Sequence, residues 1–139
     1  MSVKNNVANI LAELTDNLKF LNEEQLEELV GAILQADHIF TAGMGRSGIS
    51  IRAFTNRLMH LGFAVSSIGE ITAPHSHPGD LVIIASGSGE TDSLAALAQK
   101  AKNSGVSLAL ITMDAESTIA KLADVVVVLP GVSRRHQTE

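Results

Sequence analysis

The residues best equipped for chemistry lie in one short run, Ser86-Gly87-Ser88-Gly89-Glu90-Thr91. It follows Leu81-Val82-Ile83-Ile84-Ala85, an apolar segment that reads as a strand buried on both faces. An amphipathic helical pattern follows it from Asp92. A strand that empties through hydroxyls and glycines into a helix start makes an anion site. Glycines let backbone N–H groups approach a ligand, hydroxyls add donors, and the helix dipole favours negative charge. The run has no lysine, so it is not a Walker A loop. Hydroxyls and amides suit a small phosphorylated metabolite better than a nucleoside triphosphate. The competing reading is a βα turn rich in small residues.

A second run, Gly43-Met44-Gly45-Arg46-Ser47-Gly48, matches G-x-G-x-x-G between a strand and a helix, and Glu70 stands where a ribose-binding acid is expected. Against a dinucleotide site stand the polar Arg46 and Ser47, and the first run, which would then be surplus. Glu70 lies just past a strand end, where it serves either proton transfer or backbone bonding. His75 and His77 form an H-x-H pair. Two histidines need further ligands to hold a metal, and no metal site is assigned. Imidazole titrates near neutral pH, so His77 joins Glu70 as a candidate for proton transfer. Glu90 reads as an ionised acid stabilised by the helix it precedes.

The elements that must position these groups follow from periodicity. Val7, Ile10, Leu11, Leu14, Leu18 and Leu21 form one helical stripe within residues 3–21. That leading helix has little to pack on, so it is expected to lie across the domain or against another subunit. Asn22 and Gln25 resemble a capping box opening a second helix, with Leu26, Leu29, Val30, Ile33 and Leu34 inward. Strands are expected at about residues 38–42, 63–67, 81–86, 107–112 and 125–129, alternating with helices. One of these is a short helix capped by Asp114. Alternation of this kind implies a doubly wound five-stranded parallel sheet, of order such as 2-1-3-4-5, flanked by helices in an α/β fold. Both small-residue runs then follow strands 1 and 3, whose carboxyl ends meet at the switch point where ligands bind.

Composition narrows the classes. A chain of 139 residues is read as one domain, with helices over 1–36, the sheet core over 37–131 and a tail over 132–139. A net charge of −5 and the lack of Trp and Tyr argue against a nucleic-acid partner, which needs a basic stripe or stacking platforms. With no Cys there is no disulfide and no thiolate nucleophile. No apolar run approaches the ~18 residues of a membrane span. The amino end also lacks a signal peptide's apolar stretch, so a cytoplasmic location and no membrane partner are expected.

Gly45-Arg46-Ser47-Gly48, Arg57-Leu58-Met59-His60-Leu61-Gly62, Gly69-Glu70, the 86–91 run, the 116–124 segment and Pro130-Gly131 closely resemble the sugar isomerase (SIS) domain family. Within it they are most similar to the 6-phospho-3-hexuloisomerase branch. The resemblance spans nearly the whole chain. It implies a flavodoxin-like fold in which Ser47, Ser86, Ser88 and Thr91 bind a sugar phosphate. Gly45 and Gly87 would allow close backbone approach, and Arg46 would lie beside the sugar. It implies isomerisation of arabino-3-hexulose 6-phosphate to fructose 6-phosphate through an enediol, in the ribulose monophosphate pathway of formaldehyde fixation. No metal or redox cofactor is needed, and the working state would be a homo-oligomer, a tetramer or a dimer. The family continues past the Pro-Gly through a Pro-x-Gly-(Ser/Thr)-x-Phe-Glu segment into a long helix, whereas this sequence runs on as Ser133-Arg134-Arg135-His136-Gln137-Thr138-Glu139. The glutamate of that segment is a natural candidate for the family's base, so the expectation is a whole phosphate cradle with an incomplete catalytic set. Two other readings stand beside it. One is a non-catalytic sugar-phosphate-binding module. The other is a pentose 5-phosphate isomerase, whose His-Gly-Asp and Lys-Ser-Gly are Pro78-Gly79-Asp80 and Arg46-Ser47-Gly48 here.

Overall fold

The computed structural model describes residues 2–70 and 75–131; the expected tail, 132–139, lies outside the described residues. Helices α1 (Val3–Asn17) and α2 (Glu23–Gln35) lead into strand β1 (Ile39–Gly43), helix α3 (Gly45–His60) and strand β2 (Val65–Ser67). Strand β3 (Leu81–Ala85), helix α4 (Asp92–Asn103), strand β4 (Ser107–Thr112), helix α5 (Thr118–Leu122) and strand β5 (Val125–Val128) complete the chain. The five strands are all parallel, in the order β2-β1-β3-β4-β5. This is the expected doubly wound sheet.

Successive residues of a strand face opposite sides of a sheet, and the core divides accordingly. Phe40, Val82, Ile84, Leu108 and Leu110 point to the side of α4 and α5, where Leu94, Ala98 and Ile119 meet them. Ile39, Leu81, Ile83 and Val127 point to the side of α2 and α3, against Leu29, Ile33, Ile51 and Leu58. Ile83 and Ile84 are fully buried on opposite faces of one strand. Burying such a side chain contributes about 1.5–3 kcal/mol.

Local chemistry moves several boundaries. α3 begins at Gly45 rather than after Gly48, because the Gly48 N–H donates to the Met44 carbonyl at 3.0 Å and closes a helical turn. Arg46 and Ser47 therefore sit in the first turn of a helix. A Cβ on Gly48 would stand 2.7 Å from the Gly43 carbonyl oxygen, so these glycines serve close packing of α3 on β1. β2 is shorter than expected, at three residues. The cap of α5 is Ser117, whose hydroxyl accepts from the Ala120 N–H; Asp114 instead accepts from the Glu116 N–H within the preceding turn.

The leading helices differ from each other. The Asn22 side chain accepts from the Gln25 N–H, as a cap should, but Gln25 does not reach back. Its Oε1 accepts from the Val128 N–H of β5 at 3.0 Å, which ties α2 to the sheet. Leu29 and Ile33 are buried there, whereas Val30 and Leu34, expected inward, are exposed. α1 buries no residue, and its stripe of Val7, Ile10, Leu11, Leu14 and Leu18 is exposed. No helix among the described residues is long and apolar enough to cross a membrane.

Asp124 closes the outer half of the sheet at its amino edge. One carboxylate oxygen accepts from Lys102 Nζ at 2.7 Å and the other from the Leu108 N–H at 2.8 Å. Partial burial pushes its pKa up, but the Lys102 hydrogen bond, the Leu108 N–H and the Lys102 charge outweigh this and hold it below the usual value. A depressed carboxyl stabilises the fold above its unfolded pKa of about 3.9 and stops doing so as pH falls through the lower folded value. Asp124→Asn should therefore lower the Tm at pH 7, and the gap to the parent should close as pH falls below about 4 in thermal melts.

Candidate functional site

The strand ends that carry the two runs meet where topology places them. β1 pairs with β3 in register from Ile39–Leu81 to Gly43–Ala85, so Met44 and Ser86 leave adjacent strands at the same carboxyl edge. A cavity of about 560 Å³ opens there. Arg46, Ser47 and Ser50 line it from α3, and Ser86 and Gly87 from the loop after β3. Thr112 and Met113 close it from β4, and Ile51, Phe54 and Leu129 give it an apolar wall. Four of the seven binding residues expected from sequence, Arg46, Ser47, Ser86 and Gly87, thus share one cavity. Gly45 heads α3 beside them with φ +57° and open space at its Cβ position.

The 86–91 loop is held by its own hydroxyls. The buried Ser86 Oγ accepts from the Gly89 N–H at 3.0 Å, and the buried Ser88 Oγ accepts from the Glu90 N–H at 3.1 Å. A hydroxyl that accepts keeps its own proton to donate, so both serines hold the loop and retain a donor. Thr91 occupies the N-cap of α4 but makes no side-chain capping bond. Thr91 Oγ1 therefore does not cap the first-turn N–H groups of that helix, whose dipole favours an anion.

A second layer of contacts fixes the loop from outside. The Gly87 carbonyl accepts from the Met113 N–H and from Thr112 Oγ1, and the Gly89 carbonyl accepts from the Ile119 N–H. Glu90 turns away from α4. Its carboxylate accepts from the Thr118 N–H at 2.8 Å and Thr118 Oγ1 at 3.0 Å, at the start of α5. The acid does sit at a helix start, but of the next helix rather than its own. Thr112 and Thr118 went unnoticed in the sequence because their partners lie 25 and 28 residues away. The one available signal was that Thr112 ends a strand at the ligand edge.

The proton-transfer candidates are placed unequally. Glu70 is exposed in the turn after β2, on the cradle's edge of the sheet but outside the cavity lining. His77 precedes β3 and so lies at the opposite, amino edge; within one chain it does not join the cradle. Its N–H donates to Asp80 Oδ2 at 2.8 Å, and its ring Nδ1 lies 3.0 Å from the Pro78 carbonyl. That carbonyl, then the Asp80 charge, raise its pKa; desolvation opposes them and Asp37 adds to the rise. Asp37, His77 and Asp80 bring one ligand atom each within 4.8 Å of one another. Three donors fall one short of a closed structural zinc site. Among the described residues, no carboxylate or imidazole lines the 560 Å³ cavity.

Comparison with known proteins places this geometry. Residues 32–135 match the family model described as the SIS domain. The chain is 46% identical over 125 residues to the 3-hexulose-6-phosphate isomerase of Bacillus subtilis (strain 168), covering 90% of this chain and 68% of that protein. It is 37% identical to the 3-hexulose-6-phosphate isomerase of Mycobacterium gastri, covering 95% of this chain and 66% of that one. The chain thus spans about two-thirds of the length of these curated relatives. A protein of Methanococcus jannaschii, whose crystal structure infers a molecular function of 3-hexulose-6-phosphate isomerase, superposes with a TM-score of 0.79 at 34% identity, over 91% of this chain and 76% of that one. The sugar isomerase domain of an RpiR transcription factor from Sphaerobacter thermophilus superposes with a TM-score of 0.75 at 28% identity, over 94% of this chain and 76% of that one.

Gly89 adopts φ +66°, and a Cβ there would overlap the Ser117 hydroxyl. Gly89→Ala should therefore combine left-handed strain with a clash and destabilise by about 2–4 kcal/mol in denaturant unfolding. Any folded fraction should lose affinity for phosphorylated ligands, because the loop can no longer seat on Ser117.

Proposed function

The chain belongs to the SIS domain family, and from that premise we propose that it is an isomerase converting arabino-3-hexulose 6-phosphate to fructose 6-phosphate. The observation that carries this reading is the convergence of Arg46, Ser47, Ser86 and Gly87 on one cavity at the β1–β3 switch point. The 46% identity to a protein of that activity supports it. Ser47, Ser86, Ser88 and Thr91 hold the phosphate through hydroxyls, Gly45 and Gly87 let the backbone approach it, and the α4 N-terminus faces its charge. Arg46, the charged residue lining the cavity, lies beside the sugar oxygens.

Moving the carbonyl from C3 to C2 requires removal of the proton on C2 to give a 2,3-enediolate, passage of the O2 proton to O3 and return of a proton to C3. Arg46 supplies the positive charge that an enediolate oxygen needs. Glu70, on the same edge of the sheet, is assigned as the base; His77 serves only if a second copy brings it across. The second reading, a sugar-phosphate-binding module without turnover, is supported by the superposition on the sugar isomerase domain of an RpiR transcription factor.

The homo-oligomer is part of the proposal. A 15-residue helix with no buried residue is marginal in water on its own, and its apolar stripe is the shape of a helix that packs on a second copy.

Conversion of arabino-3-hexulose 6-phosphate, read by coupling fructose 6-phosphate formation to NADPH, tests the function. Thr91→Ala should raise KM about tenfold or more with little change in Tm, since the Thr91 side chain makes no capping bond. Glu70→Gln should lower kcat about 100-fold with KM nearly unchanged. Phosphate-dependent thermal shifts without turnover in the parent would decide for the binding module. Leu11→Glu should reduce the mass in light scattering to that of a smaller assembly; an unchanged mass would remove α1 from the interface.

A further inference from the structure

Thr112 is buried to 1% exposure at the last position of β4, yet its hydroxyl is committed on both sides. It donates to the Gly87 carbonyl at 3.1 Å and accepts from the Asp114 N–H at 3.2 Å. A hydroxyl has one proton, and here it is spent on the loop. The Gly87 carbonyl also receives the Met113 N–H at 3.0 Å, so two donors from one strand end fix the Gly87–Ser88 peptide plane. That peptide is trans. Its C=O and N–H then point in opposite directions, and a carbonyl drawn towards β4 turns the Ser88 N–H away from β4.

We propose that Thr112 is a positioning residue for the phosphate cradle: its hydroxyl orients the Gly87–Ser88 peptide so that the Ser88 N–H faces the bound phosphate. The inference rests on the cradle assigned under the proposed function and names what holds it open. Thr112 need not touch the ligand to act. The Met113 N–H survives any substitution of Thr112, so the cradle is loosened rather than lost.

Thr112→Val keeps shape and removes the hydroxyl, while Thr112→Ser keeps the hydroxyl. Ser66→Ala, which removes a buried hydroxyl bonded to His38 outside the cavity lining, reports what a general loss of stability does. Calorimetry with inorganic phosphate and with fructose 6-phosphate should show Kd about tenfold higher in Thr112→Val for both ligands alike. Thr112→Ser should stay within about twofold of the parent, and Ser66→Ala should lose Tm with Kd unchanged. In the parent, phosphate should also slow amide exchange at Ser88. Parent-like Kd in Thr112→Val, equal weakening in Thr112→Ser or Ser66→Ala, or no slowing at Ser88 would each overturn the assignment. The exchange result stands even if the valine variant does not fold. A parent that binds neither ligand would overturn the cradle and this inference together, whereas a binding parent with an indifferent Thr112→Val would overturn only the inference.

Discussion

The pairing of β1 with β3 governs everything at the ligand edge. From β1 the chain turns into α3 on one face of the sheet, and from β3 into α4 on the other. Two crossovers leaving in opposite directions cannot both cover the strand ends between them, so a gap is built into the topology. Two glycine-bearing runs, serine hydroxyls and one guanidinium stand at the rim of that gap, groups that offer donors without bulk. The tight Gly43–Gly48 contact sets how close α3 stands, and hence how near Arg46 and Ser47 come to Ser86.

Around that gap the structure is layered by distance from the ligand. Ser86 and Ser88 hold their own loop, Thr112 and Met113 hold the loop's carbonyl, and Glu90 locks it to the start of α5. The short helix α5 has five residues and little stability of its own, but its first turn is where the loop's acid anchors. The 86–91 run is thus shaped both by residues of the cavity lining, Ser86, Thr112 and Met113, and by contacts outside it, from Ser88 and Glu90. Binding in such a site relies more on hydrogen bonds than on net charge, which fits a protein whose formal charge is −5.

The sheet and its site loops were legible because parallel strands write themselves as apolar runs and their ends are fixed by topology. β4 falls at residues 107–112 as its β-branched and aliphatic pattern predicts. What failed was long-range or non-local. Glu90 was assigned to the helix that follows it, since local reading cannot see that the loop folds onto Thr118. Val30 and Leu34 looked like core because a helical stripe says which face is apolar and not what lies against it. The edge on which His77 falls was legible too: a residue just before a parallel strand lies at its amino edge, opposite the carboxyl edge where such sheets bind ligands.

The bond from the Val128 N–H to Gln25 has a bearing on solubility. β5 is the outermost strand, and the Leu129 N–H turns inward to Thr112, so the Val128 N–H points outward. An uncharged edge of four consecutive valines is the kind of segment that recruits strands from other molecules. Gln25 occupies that outward donor from a neighbouring helix, and at the other end of the sheet β2 offers only three residues to any template. The amide that fails to complete a capping box thus leaves the edge strand one fewer free donor to offer a strand of another molecule.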